Sequence, residues 1–317
     1  MTVPAIGARF EAVVPATTSN LGPGFDALGA ALTLCNRFEA EVVGSDAQAS
    51  VTVRGFGAAE LVGVGETAVH VGMRAAAEAL GATLPPVALT LHNHVPMGSG
   101  LGSSSTALCG GLALGWALAG RDPTALDRDW LLQQACRLEG HPDNAAPCVL
   151  GGMVVAVMDE AGDTLALRLA TPPGLVCVAV TPALSLSTAE MRSALPATVP
   201  FADAVHNGVH ATLLGAALAS GRLDLLPTAT RDRLHEGVRG AKIPGFAAVR
   251  AAGLRAGALA VPISGAGPTA IALCDAAADH DAIGAAMVAA FAAAGVASQA
   301  RTLTVRTEGV ELGARER

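Results

Sequence analysis

Residues 95–107 read "VPMGSGLGSSSTA": three glycines within five positions, three serines directly after them, and no lysine. Upstream, "VALTLHNHVP" (87–96) has the pattern of a strand that stops at a proline. Downstream, "STALCGGLALGWALAG" (105–120) is apolar almost throughout and predicts a helix buried on most of its faces. A loop that leaves a strand and enters a helix gathers free backbone N–H groups and the positive end of the helix dipole at one spot. An anion fits there, and phosphate is the commonest occupant. Glycines at 98, 100 and 102 let the chain turn tightly with no Cβ to hold the backbone away from oxygens. The competing reading is a structural turn ahead of a serine-capped helix.

Two familiar phosphate motifs do not fit. The pattern GxxxxGK[ST] requires a lysine, and the dinucleotide pattern GxGxxG requires different glycine spacing and a ribose-reading acid about 20 residues on. Nineteen arginines and one lysine, Lys242, make up the basic residues, so any chemistry that needs a lysine has a single candidate.

At 317 residues the chain is long enough for two ordinary domains. It is 51% hydrophobic but only 3% aromatic, so its core is built from small aliphatic side chains that bring backbones close together. The net charge of −7 is spread along the chain, and no basic run suits nucleic acid or an anionic membrane. Six scattered cysteines (35, 109, 136, 148, 177 and 274) with no CxxC pair read as reduced core residues of a cytoplasmic protein. The N-terminus lacks the layout of a signal peptide, and the apolar run 282–297 is too short for the roughly 20 residues of a membrane span.

Along the chain, "FEAVVPATTSNLGPGFDALGAAL" (10–32) and "ALTLCNRFEAEVV" (31–43) predict two strands around a turn-rich break. "ETAVHVGMRAAAEALGA" (66–82) predicts a helix that stops at glycine. "TALDRDWLLQQACRLEG" (124–140) predicts a second helix capped by Thr124 and Gly140. "HPDN" (141–144) is expected as a polar knot before a pair of strands. After about residue 155, "LVCVAVTP", "TAEMRSALP", a helix over 206–220, the stretch 235–275, a long helix and the strand "ASQARTLTV" suggest a second α+β domain with antiparallel strands covered on one face.

Glu139 and "EGHPDN" close the second helix, which can bring a carboxylate and an amide near the phosphate site. A nucleotide with Mg²⁺ needs one or two such oxygen ligands, and a loop serine can supply another. On position alone, Glu139 also reads as a solvated helix residue. Two further turn-rich segments, "TTSNLGPGFDALG" (17–29) and "PISGAGPTAIAL" (262–273), repeat the mixture of glycines and hydroxyls.

Three ordered motifs, at 15–30, 96–107 and 262–273, together resemble the GHMP kinases over essentially the whole chain. Within that superfamily "NLGPGFDALG", "EGHPDNAAP" and "STAEMRSALP" are most similar to the homoserine kinase branch. The resemblance implies a two-domain α+β fold: a ribosomal S5 domain 2-like ATP-binding domain over 1–155 and a ferredoxin-like domain over 156–317, with the site between them. It implies that Pro96, Met97, Gly98, Ser99, Gly100, Leu101, Gly102, Ser103, Ser104, Ser105 and Thr106 wrap the triphosphate of ATP. Ser104 and Glu139 would bind Mg²⁺. Asn20, Asp26, Thr188, Arg192, Arg239 and Gly265 would line the amino-acid pocket, Asp26 taking an ammonium and the two arginines a carboxylate. His141, Asn144 and Arg239 would serve catalysis beside the hydroxyl of L-homoserine, and a homodimer is expected.

Some relatives activate the hydroxyl with an aspartate and a lysine; this chain has Asn144 at the aspartate's place, and an amide takes no proton at neutral pH. The expectation is therefore in-line positioning with charge neutralisation. Asp143 is the adjacent candidate base, though the favoured expectation is that it orders the knot through hydrogen bonds to backbone. His206 and His210, four apart on a helix, lack the glutamate of a zinc helix. His92 and His94 read as packing residues and Lys242 as a solvated charge. With no tyrosine, an adenine contact at Asn36 to Phe38 is the available expectation. The alternatives are another GHMP small-molecule kinase, of mevalonate or sugar type, and a ligand sensor without turnover.

Overall fold

The computed structural model describes residues 3–44, 50–61 and 63–315. The chain opens with β1 (Arg9–Asn20) and β2 (Gly24–Val42), which pair antiparallel around a three-residue turn, so the expected break is much shorter than the sequence suggested. Next come β3 (Ser50–Gly55), helix α1 (Ala68–Leu80), β4 (Val87–Asn93) and helix α2 (Ser103–Leu118). α1 ends at Gly81 in a left-handed conformation, as the sequence predicts.

α3 (Arg128–Glu139) is capped by Asp127, whose carboxylate accepts from the Trp130 N–H, and not by Thr124. Thr124 belongs to a separate 3₁₀ turn (Pro123–Ala125) capped by Asp122, and the extended backbone at Leu126 breaks the two apart. Gly140 closes α3 as expected. The expected knot at 141–144 is instead the first turn of helix α4 (Pro142–Leu150), with Pro142 in the first turn, where no N–H is needed. The strand pair β5 (Met153–Met158) and β6 (Thr164–Leu169) follows.

The remaining elements are β7 (Leu175–Pro182), α5 (Thr188–Ser193), α6 (Phe201–Ala219), α7 (Leu226–Ala229), α8 (Glu236–Ala241), α9 (Phe246–Arg255), β8 (Ala270–Asp275), α10 (His280–Ala293), β9 (Ser298–Thr304) and β10 (Glu311–Arg315). The strands form two sheets among the described residues. The larger has the order β10-β1-β2-β4-β3, with β5 and β6 attached to the first half of β2; the smaller is β8-β7-β9, all antiparallel. The larger sheet thus takes strands from both sides of residue 155: β6 follows it, and β10 returns to pair with β1. The arrangement is α+β, as expected.

The low aromatic content shapes the packing. α2 is buried along nearly its whole length and lies against α1 through glycines. A Cβ at Gly72 would meet Leu108 O at 2.4 Å, and one at Gly111 would meet Val69 O at 2.2 Å. This close approach holds the N-terminus of α2, and the loop before it, in a fixed place.

Candidate active site

The glycine-serine loop lies between β4 and α2. Gly100 and Gly102 adopt φ of 83° and 69°, open to glycine at little cost. A Cβ at Gly102 would meet Thr17 Oγ1 at 2.0 Å, and one at Gly100 would meet Ser264 O at 2.3 Å, so the loop is pressed between β1 and the stretch before β8. Thr17 N–H donates to Leu101 O, and Ser264 Oγ donates to Gly100 O at 2.7 Å.

The N-cap of α2 is Gly102 with no side-chain cap, and the first intrahelical bond runs from Thr106 N–H to Gly102 O. No serine caps this helix, so capping does not account for the serine run. The first-turn N–H groups at Ser103 to Ser105 have no intrahelical acceptor, and all three residues line the cleft.

That cleft is walled by Gly98, Ser99, Gly100, Gly102, Ser103, Ser104 and Ser105, then by Glu139, His141 and Asn144, and on its far side by Asn20, Asp26, Thr188, Arg192, Arg239 and Gly265. Segments from six parts of the chain meet there, and they contain every residue assigned from the sequence except Pro96, Met97, Leu101 and Thr106. Leu101 packs into the core, and Thr106 is buried with its hydroxyl donating to Ser103 O. Pro96 and Met97 line a neighbouring groove.

Glu139 is held by Ser105, whose hydroxyl donates to Oε1 at 2.9 Å; this is the residue after the serine expected as its companion. Its Oε2 is buried with no partner, and burial pushes the carboxyl above its ordinary value. A buried carboxylate oxygen without a donor is costly unless a cation comes to it. The pair therefore fits a divalent cation that keeps few protein ligands and takes the rest from phosphate oxygens. Among the described residues no cluster of three or more His, Cys, Asp or Glu forms an all-protein metal cage.

His141, the N-cap of α4, donates from Nδ1 to Asp143 Oδ1 at 2.6 Å. Burial works against the imidazolium, but the Asp143 carboxylate outweighs it and raises the His141 value. The same bond holds Asp143 below the usual carboxylate range against its own burial. Asp143 thus orders the site mainly through side chains, His141 and the Asn144 amide (3.3 Å), where backbone bonds were expected. Asn144 is clamped from three sides: it also donates to Ser19 Oγ at 2.9 Å and accepts from Thr17 Oγ1 at 2.8 Å.

On the opposite wall Arg192 makes a two-pronged ion pair with Asp26, at 2.7 and 2.8 Å. The sequence reading gave these residues to opposite charges of a substrate; in the structure they hold each other across the cleft rim. Asn20, Leu21 and Asp26 have φ of 69°, 49° and 56°, strained positions of the kind that cluster at binding sites, at about 1–3 kcal/mol each for the least suited residues. Asn20 uses both ends of its amide, accepting from Asp26 N–H and donating to Gly265 O.

Arg239 is 2% exposed, and among the described residues its only acceptor is Gly265 O at 3.2 Å. Its Nε is buried and unpartnered, and burial, then Arg192, lowers its guanidinium below the ordinary value. Phe25, which the sequence reading missed, lies between the two arginines, 5.6 Å from Arg192 and 5.0 Å from Arg239, and packs on His235. The aromatic face steadies two like charges side by side.

A second cavity of about 320 Å³ opens beside Ser103 and Ser104, walled by Phe38, Thr67, Val69, Leu91, Asn93 and Met97. Phe38 is one of its lining residues. Asn36 does not reach it: its amide donates to Thr106 Oγ1 and accepts from the His94 and Val95 N–H groups. His92 contacts Glu39 and His94 contacts Cys35 O, as packing residues do. Lys242 sits exposed at the end of α8 and His206 stacks on His210, both outside the cleft wall.

The profile described as "GHMP kinases N terminal domain" matches residues 68–152, and "GHMP kinases C terminal" matches 211–293. A homoserine kinase of Gloeobacter violaceus is 46% identical over 82% of this chain and 86% of its own. One of Moorella thermoacetica is 41% identical over 93% and 97%. The chain belongs to the homoserine kinase family of GHMP kinases. A crystal structure of homoserine kinase from Cytophaga hutchinsonii covers 99% of this GHMP kinase and 100% of its own chain at 27% identity, with a TM-score of 0.84. Leishmania major mevalonate kinase, at 16% identity and a TM-score of 0.66, shares the GHMP kinase fold. No described helix of this family member is long and apolar enough to cross a membrane.

Proposed function

We propose that the chain transfers the γ-phosphoryl group of ATP to the side-chain hydroxyl of L-homoserine, giving the O-phospho amino acid that threonine biosynthesis consumes. The observation that carries this reading is Arg239, a buried guanidinium with an unpartnered Nε at the cleft. A buried cation without a carboxylate is strongly disfavoured until an anion arrives. An α-carboxylate supplies that anion in a form a neutral sugar cannot. Asp26, already at the cleft rim, offers its carboxylate to the substrate ammonium.

ATP lies with its triphosphate along residues 98–105 and its base in the 320 Å³ cavity, whose size suits a small ligand. Glu139 with Ser104 or Ser105 would hold Mg²⁺, which supplies charge neutralisation to the phosphates when bound. The substrate oxygen forms its bond to the γ-phosphorus as the bond to the β-γ bridging oxygen breaks, and the hydroxyl proton leaves to a phosphate oxygen or water. Neither Asn144 nor Asp143 is a strong base: Asn144 is an amide, and Asp143 is held below its ordinary value by His141. His141, whose protonated form Asp143 favours, and the clamped Asn144 donate to and orient the reacting oxygens, which suffices for a loose transition state. A cytoplasmic location belongs to the same reading. So does a homodimer, for which the exposed side chains of Val157, Leu165 and Leu167 on β5 and β6 offer a face.

The test is a coupled ADP-release assay with Mg²⁺ and ATP across L-homoserine, L-threonine, R-mevalonate and galactose. Turnover on homoserine alone is expected. Preferred turnover of mevalonate or galactose overturns the substrate, and ATP binding without turnover on any of the four leaves a sensor.

A further inference from the structure

Glu236, at the start of α8, is almost fully buried yet lies outside the cleft wall. Its Oε1 accepts from Ile263 N–H at 2.7 Å, and its Oε2 contacts Arg250 Nη2. Arg250, on α9, donates from Nε to Val261 O at 3.0 Å. One carboxylate and one guanidinium thus grip the backbone at 261 and 263, the root of the loop whose tip is Gly265.

That tip receives Arg239 Nη1 and Asn20 Nδ2 on a single carbonyl oxygen, and Gly265 N–H donates to Ser19 O. Glu236 and Arg239 are three residues apart on one short helix. The helix therefore holds the loop at two points, by its root and by its tip. Shifting the root changes where Gly265 O sits, and with it the direction of the hydrogen bond that, beside the Phe25 ring, orients the Arg239 guanidinium.

We propose that Glu236, through Ile263 and Arg250, is a positioning residue for the substrate carboxylate, fixing the loop against which Arg239 is aimed. This rests on the reading of the cleft as an amino-acid site. Burial pushes the Glu236 carboxyl up to about 7 against the pull of Arg250 and the Ile263 N–H.

The experiment compares wild type, Glu236→Gln and Glu236→Ala on L-homoserine and on its carboxylate-free analogue homoserinol. Glu236→Gln keeps an acceptor for Ile263 but loses the charge facing Arg250; Glu236→Ala loses both. The expected result is a KM for homoserine raised about threefold in the first and tenfold in the second, with kcat and the KM for ATP within about twofold. Selectivity for homoserine over homoserinol falls by a like factor, because the loss passes through the carboxylate. A KM for homoserine unchanged in both variants overturns the proposal. An equal loss on the two substrates does so as well, since a general weakening of the fold touches both alike. Should Glu236→Ala not fold, Glu236→Gln carries the same comparison alone. Wild-type enzyme inactive on homoserine sinks the underlying reading instead.

Discussion

The two walls of the cleft are made differently. On the reading proposed above, one is a phosphate wall that comes from one continuous stretch, 98–105, and would work through backbone N–H groups and one helix end. The amino-acid wall assembles Asn20, Asp26, Thr188, Arg192, Arg239 and Gly265 from distant segments and works through charged and polar side chains. A wall of backbone tolerates changes of side chain that keep the turn, whereas a wall of side chains depends on each one. Substitutions on the two sides therefore differ in size and in which substrate notices them.

Arg239→Ala breaks the amino-acid wall most completely. It is expected to lower kcat/KM for homoserine about a thousandfold, a loss in the 2–5 kcal/mol range for a buried charge partner, with the KM for ATP nearly unchanged in steady-state kinetics. Glu139→Gln is the exception on the phosphate wall, where a side chain matters. We expect about a hundredfold lower kcat and a raised Mg²⁺ requirement, read by titrating the metal at saturating ATP. An unaltered Mg²⁺ requirement would remove Glu139 from the metal.

Asn144→Asp separates positioning from base catalysis. The new carboxylate stands beside Asp143 Oδ1, now 3.3 Å from the amide nitrogen, so kcat is expected to fall about tenfold. A rise would mean that a base had been missing. Ser103→Ala is expected to change kcat and both KM values by less than about threefold, because the backbone does the binding there.

The smallest expected effect is on stability. His141 is raised in the fold, so its contribution is full below its unfolded value and fades as pH rises through the folded one. Asp143 is lowered, so its contribution is present above its unfolded value and fades in acid. The Tm difference between wild type and His141→Gln should be widest between about pH 4 and 6.5 and narrow on either side.

The same contrast explains what the sequence disclosed. The loop 98–105 was legible because turn, helix start and hydroxyls are neighbours in the chain. The apolar helix after it and the glycine stops at 81 and 140 were legible for the same local reason. The residues at 141–144 were placed in the site, but their local form was misread because Pro142 opens a helix in a segment that looks like a turn. Thr124 and Asp127 are both good caps by residue type, and only the extended Leu126 decides between them. The expected roles of Asp26 and Arg192 came through the family resemblance, but their mutual ion pair spans 166 positions and has no local trace. Phe25 and the Glu236–Arg250 contact were invisible for that reason too.

The return of β10 to β1 has a consequence in time. The first strand is bordered on one side by β2 and on the other by residues 311–315. At about 5–20 residues per second of synthesis, Arg9 waits on the order of 15–60 s for its partner Arg315 to be made. During that interval the newborn chain carries an open strand edge, a surface that a chaperone or a second nascent chain can pair with until the last strand closes it.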